Sequence, residues 1–143
     1  MKLAKYAISA ALVSATMSSA LAVSAPLPPA HVQGDISYLS GGIGRDEART
    51  ILTAARDYPL ALEFAPVAHG RHVLKTGNPA AVPVVIRNLQ GRVVLSASSE
   101  GPFMLVKLPA GRYLISAAHE GKIERRHVWV TGEPRLVVFE WVA

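Results

Sequence analysis

Between residues 82 and 130 the chain breaks into short apolar runs separated by turns that each hold a glycine. The turns are Asn88 to Gly91, Glu100-Gly101-Pro102, Pro109-Ala110-Gly111 and Glu120-Gly121. Short alternating runs at this spacing read as strands of a small all-β sandwich. Strands are predicted over 82–87, 92–97, 103–108, 112–119 and 123–130, with further runs over 60–64 and 136–141. The expectation is a mainly β fold: a seven-stranded antiparallel sandwich.

The alternation assigns faces. Val82, Val84 and Ile86 point one way and Pro83, Val85 and Arg87 the other. Pro83 lacks an N–H, so its strand is an edge or pairs on one side only at that position. Tyr113, Ile115 and Ala117 share a face, and Leu60, Leu62 and Phe64 share another. Val128 and Val130 facing the core turn Arg125, His127 and Trp129 outward together.

One helix is predicted, over 45–56. Ala48, Ile51, Leu52 and Ala55 recur at i, i+3, i+4 and i+7 and form an apolar stripe. Asp46 and Glu47 stand in its first turn and Arg56 in its last, as the helix dipole prefers. A single helix must bury its stripe on a sheet, and Trp129 is the expected surface beneath it.

The N-terminus reads as an export signal. Lys2 and Lys5 precede a small, apolar, uncharged stretch from Ala7 to Val23. Ala20-Leu21-Ala22 and Val23-Ser24-Ala25 both offer cleavage sites, and Pro26 after the second makes cleavage after Ala22 a competitor. The organisation expected is a signal peptide over 1–25, a flexible proline-rich leader over 26–36, and a single domain over 37–143. The formal net charge of +5 falls when Lys2 and Lys5 are removed. An exported protein of that mild charge is not expected to bind nucleic acid or to keep a membrane anchor after cleavage. Periplasmic or secreted localisation follows. With no cysteine in the chain there is no disulfide, thiol nucleophile, thiolate metal site or lipoprotein anchor, and stability must come from the apolar core.

Several chemical readings fail on residue pattern. Gly41-Gly42-Ile43-Gly44 before a helix suggests phosphate binding, but no Lys-Ser/Thr follows and Asp46 and Glu47 would repel an anion. His69 and His72 sit in a loop over 66–79 with no third ligand nearby, so no metal site is expected. No serine lies in a Gly-x-Ser-x-Gly elbow, and the carboxylates are scattered. Neither a catalytic residue nor a cofactor is expected. Two surface features remain as candidates. Arg125, His127 and Trp129 form a ligand platform if the helix leaves Trp129 uncovered. Arg45, Arg49 and Arg56 fall within about 40° on a wheel of 100° per residue and form a docking stripe for an acidic partner.

The segment 82–130 resembles the carboxypeptidase regulatory-like domain, a transthyretin-like sandwich with immunoglobulin-like architecture. The resemblance rests on Val84, Ile86, Gly91, Val93-Val94 and Gly101. It continues through Phe103, Leu105, Leu108-Pro109-Ala110-Gly111-Arg112-Tyr113, Ile115, Ala117, Gly121, Val128 and Val130. The whole chain is similar to small exported bacterial proteins that carry this domain behind a Gly-Gly-Ile-Gly-x-x-Glu helix, here Gly41 to Gly44 and Glu47. The resemblance implies a fold and a compartment and no catalytic residues. The branch of the transthyretin-like fold that hydrolyses 5-hydroxyisourate ends in Tyr-Arg-Gly-Ser, whereas this chain ends Phe139-Glu140-Trp141-Val142-Ala143. The functional expectation is a non-enzymatic exported module that binds an envelope protein or a surface polymer, with a surface polysaccharide as the expected polymer partner. The alternatives are a dedicated carbohydrate-binding module and, behind it, a small hydrolase.

Overall fold

A computed structural model describes residues 25–67 and 81–142. Their elements run β1 (His31–Gln33), β2 (Ile36–Gly41), α1 (Arg45–Ala54), β3 (Leu60–Val67), β4 (Val82–Asn88), β5 (Val93–Ser99), β6 (Phe103–Lys107), β7 (Gly111–His119), β8 (Lys122–Val130) and β9 (Arg135–Val142). One sheet has the order β1-β2-β6-β3-β9 and the other β5-β4-β7-β8. The inner faces of the two sheets form one core. Leu60, Leu62, Phe64, Met104 and Phe139 of the first sheet meet Val84, Ile86, Leu95, Ile115 and Val128 of the second.

This is a two-sheet sandwich, as expected, but with nine strands among the described residues rather than seven. The extra strands come from the N-terminal side. β1 lies within the stretch read as a leader, and β2 runs up to the glycine turn, where no strand is predicted. Gln33 of β1 also reaches the other sheet. Its Nε2 donates to the Ser96 carbonyl at 3.1 Å, and the Ser96 N–H donates to Gln33 Oε1 at 2.7 Å. That amide closes part of the open edge of β5, where unpaired backbone would otherwise meet solvent.

The expectation of a purely antiparallel arrangement is also corrected. β3 pairs antiparallel with β6 and parallel with β9, over eight positions from Leu60↔Arg135 to Val67↔Val142. The chain leaves β8 in one sheet, crosses through 131–134 and joins the other sheet running in the same direction as β3.

Strand faces follow the alternation. Val82, Val84 and Ile86 are buried, and Pro83 pairs with Ser98 of β5. The β4–β7 ladder begins only at Val84, so the missing N–H of Pro83 leaves no gap in it. Tyr113 turns into the core, and its hydroxyl donates to the Pro109 carbonyl at 2.7 Å, which ties the Leu108-Pro109 corner to β7.

α1 packs on the outer face of the five-stranded sheet. Ile51 is fully buried there with Leu39, Ala61, Phe103 and Leu105, and Ala48, Ala54, Ala55 and Tyr58 line the contact. β6 is therefore buried on both faces, which explains its unbroken apolar run Phe103-Met104-Leu105-Val106. Two expectations fall here. Leu52 is 48% exposed and does not belong to the stripe. The α-helix also stops at Ala54 and passes into a 3-10 turn, Ala55–Asp57. The helix lies between β2 and β3 on short connections. Both strands belong to the same sheet, so the helix covers that sheet and never reaches β8, where Trp129 sits.

The glycine turn before α1 serves packing. The Gly42 N–H donates to Glu47 Oε1 at 2.7 Å, with Gly42 at a φ of 97°. That carboxylate takes up the amide that a bound phosphate would need. Gly101 is required for close approach, since a Cβ there would collide with the backbone of Gly41.

Candidate functional site

The register of β7 and β8 builds the candidate site. Glu120 and Gly121 form a two-residue turn with positive φ at both positions, 47° and 77°, between the paired residues His119 and Lys122. This turn geometry suits a tight hairpin and fixes which residues oppose each other. Arg112 lies opposite Trp129, and Leu114 opposite His127. On the other side of β7, Arg87 of β4 lies opposite Leu114. The outer face of the four-stranded sheet thus carries a row Arg87–Leu114–His127 beside a pair Arg112–Trp129. A slip of one residue would send all of these side chains into the core.

An open groove of about 600 Å³ runs along this end of the face. Arg87, Arg112, His127 and Trp129 line it with Leu114, and Leu89 stands at its end. Leu89 is held there by the 88–92 turn. Asn88 Oδ1 accepts from the N–H groups of Gln90 at 3.1 Å and Arg92 at 2.9 Å, and Arg87 Nη1 donates to the Gly91 carbonyl at 3.1 Å. Trp129 is 58% exposed even though the Arg112 guanidinium lies over its ring, 5.3 Å from the centroid. Cation–π stacking of this kind orients the guanidinium while its N–H groups stay free to donate.

Charge is segregated on the four-stranded sheet. Its strands contain one carboxylate, Glu124, which alternation turns away from Arg125, His127 and Trp129. Glu124 pairs with Arg126 at 3.2 Å, and the Arg126 guanidinium lies over the Phe139 ring. Among the described residues no carboxylate makes an ion pair with Arg87, Arg112, Arg125 or His127. The shifted titration on this sheet is that of Tyr113, whose phenol is pushed above its ordinary value by burial.

The triplet Arg125, His127 and Trp129 does share one outward face. His127 and Trp129 line the groove, and Arg125 lies one step further along β8, opposite Ser116. The triplet is not covered by the helix, contrary to expectation. Arg45 and Arg49 are exposed on α1, on the other side of the sandwich. Arg56 is exposed in the 3-10 turn, where the helical phase that aligned it with them no longer applies. His69 and His72 lie outside the described residues, as do residues 1–24 of the stretch read as an export signal. Arg87 and Arg112 are site residues that sequence reasoning missed. Alternation along β4 places Arg87 outward, but only the pairing of three strands brings it to the groove with Arg112.

No protein-family profile matches the chain, and no curated protein matches it in sequence. Among solved structures it is similar to the Bacillus anthracis TIE protein, at 20% identity and a TM-score of 0.38, over 59% of this chain and 16% of that one.

Proposed function

We propose that the chain is an exported, non-enzymatic β-sandwich module that binds a cell-surface polymer through the outer face of its four-stranded sheet. One observation carries this reading: the 58% exposed Trp129, with Arg112 stacked over it, at the wall of an open groove. An exposed indole offers an apolar face to a sugar ring, and the neighbouring cations and imidazole supply hydrogen bonds. The groove-lining residues hold cations and one imidazole but no carboxylate, which favours binding over acid–base hydrolysis. The finer identity of the sandwich as a carboxypeptidase regulatory-like domain belongs to the same proposal. Its support is the Leu108-Pro109-Ala110-Gly111-Arg112-Tyr113 corner with the Tyr113–Pro109 hydrogen bond.

Export to the periplasm or the medium rests on the N-terminal pattern. The intact mass of protein from the envelope fraction tests it, with a mature N-terminus expected between Val23 and Pro26. Binding is tested on a glycan array with the wild type and Trp129→Ala. Wild-type signal lost in the variant supports the reading. An empty array, with an envelope protein captured in a Trp129-dependent manner, replaces the polymer with a protein partner.

A further inference from the structure

We propose that the polymer bound by this groove is a polysaccharide built from uronic acids. A pyranose ring packs on Trp129, and its ring-borne carboxylate is held by Arg112. The inference rests on the proposed function and adds the chemistry of the ligand to it.

The first argument is charge. Arg87, Arg112, Arg125 and His127 share one sheet face with no acidic neighbour, and none of them has an ion-pair partner among the described residues. Like charges gathered on a surface repel one another, and an anionic ligand relieves that repulsion. A neutral glycan would leave three guanidinium groups without a counter-charge.

The second argument is geometry. Arg112 is held against the indole 5.3 Å from its centroid. A guanidinium carries a planar N–H fork that takes a carboxylate through two parallel hydrogen bonds, and Arg112 makes no ion pair among the described residues that would occupy it. Trp129 keeps more than half of its surface open beside that fork. Ring-packing surface and carboxylate fork are therefore one cross-strand step apart, which suits an anion carried directly on the sugar ring.

The third argument is periodicity. Outward residues along β8 recur about every 6.6 Å, two residues at the usual strand rise. Arg125, His127 and Trp129 therefore form a row of anchors, which places the Arg125 guanidinium two steps along the strand from the indole. The groove ends at the 88–91 turn, whereas Arg125 extends the basic face beyond its lining residues. A polymer can follow that row past the groove, and a single small anion cannot. Nucleic acid would need successive stacking platforms. Trp129 is the one Phe, Tyr or Trp side chain at an outward position of this sheet.

Calorimetric titration of the purified protein tests the proposal. The probes are oligomers of galacturonate, of mannuronate and guluronate, and of glucuronate-containing repeats, each with its carboxyl-reduced counterpart. A single-stranded oligonucleotide and an acidic peptide serve as comparison anions. At least one uronate oligomer should bind, and its reduced form should bind roughly tenfold more weakly or worse. Arg112→Gln and Trp129→Ala should each weaken the uronate roughly tenfold while circular dichroism stays unchanged. Affinity should fall as salt rises. Equal binding of a uronate and its reduced form overturns the uronate assignment and leaves the proposed function standing. Binding of none of these oligomers overturns the uronate assignment, and an empty glycan array overturns the proposed function with it. Tighter binding of the oligonucleotide or the acidic peptide, lost in Arg112→Gln, transfers the site to that class and also overturns the proposal.

Discussion

The Arg112 guanidinium lies 5.3 Å from the centroid of the Trp129 ring, and the two residues are direct partners across β7 and β8. Both side chains stand on the solvent side of the sheet, so they contribute little to the core. Trp129→Ala should cost about 0.5 to 1 kcal/mol in denaturant melts, the scale of an exposed cation–π contact and a cross-strand aromatic pair. A loss above about 2 kcal/mol would mean that Trp129 is covered, and the groove would then have no exposed indole to offer a ligand.

Neighbouring residues of α1 should behave in opposite ways. Ile51 is fully buried against Leu39, Ala61, Phe103 and Leu105, whereas Leu52 is 48% exposed. Ile51→Ala should cost about 2 to 5 kcal/mol, the range for a large aliphatic side chain removed from a core. Leu52→Ala should cost less than about 1 kcal/mol. Thermal or denaturant unfolding of the two variants checks this, and equal costs would place the helix in a different rotation on the sheet.

Tyr113 combines burial with one hydrogen bond, from its hydroxyl to the Pro109 carbonyl at 2.7 Å. Tyr113→Ala should cost about 3 to 5 kcal/mol through lost packing. Tyr113→Phe should cost about 1 kcal/mol through the lost hydrogen bond. Burial raises the phenol above its ordinary pKa of 10.0, so the unfolded chain sheds its proton first. The folded state then binds more protons than the unfolded state, and stability falls as pH rises. Wild type should be the more stable protein below pH 10 and lose that advantage over Tyr113→Phe as pH rises further. A constant difference between about pH 8 and pH 11 would show that the phenol is not protected by the fold.

The β7–β8 turn carries a local strain that can be removed. Glu120 holds a φ of 47°, a left-handed conformation that suits asparagine far better than glutamate. Its side chain lies 3.8 Å from His119 Nε2, but with Glu120 itself 83% exposed the pair contributes little. Glu120→Asn should raise stability by about 0.5 to 1 kcal/mol, read as a higher unfolding midpoint with an unchanged denaturant slope. A lower midpoint would show that the turn does not require the left-handed region at that position.

Much of the sandwich was legible because most of its strands bury one face only. In such strands the period of two is visible residue by residue, as in Val82, Val84 and Ile86 or Tyr113, Ile115 and Ala117. β1 has three exposed residues and therefore no alternation to read. The parallel pairing of β3 with β9 joins segments far apart in sequence, and neither segment carries a mark of its partner. The outward direction of Trp129 followed from Val128 and Val130 facing the core. Its exposure did not follow, because that depends on which sheet receives α1. Short connections from α1 to β2 and β3 decide this, and they identify a sheet only once the strand order is known. Arg87 and Arg112 escaped notice for the same reason: their meeting with His127 and Trp129 is a property of register across β4, β7 and β8.

Amide chemical-shift mapping tests the central claim most directly. Isotope-labelled protein is titrated with the glycan that gives the strongest array signal. The account predicts shifts concentrated at Arg87, Leu89, Arg112, Leu114, His127 and Trp129, with the amides of α1 and β9 unmoved. Shifts concentrated on α1 around Arg45 and Arg49, or along β9, with β7 and β8 silent, would contradict it.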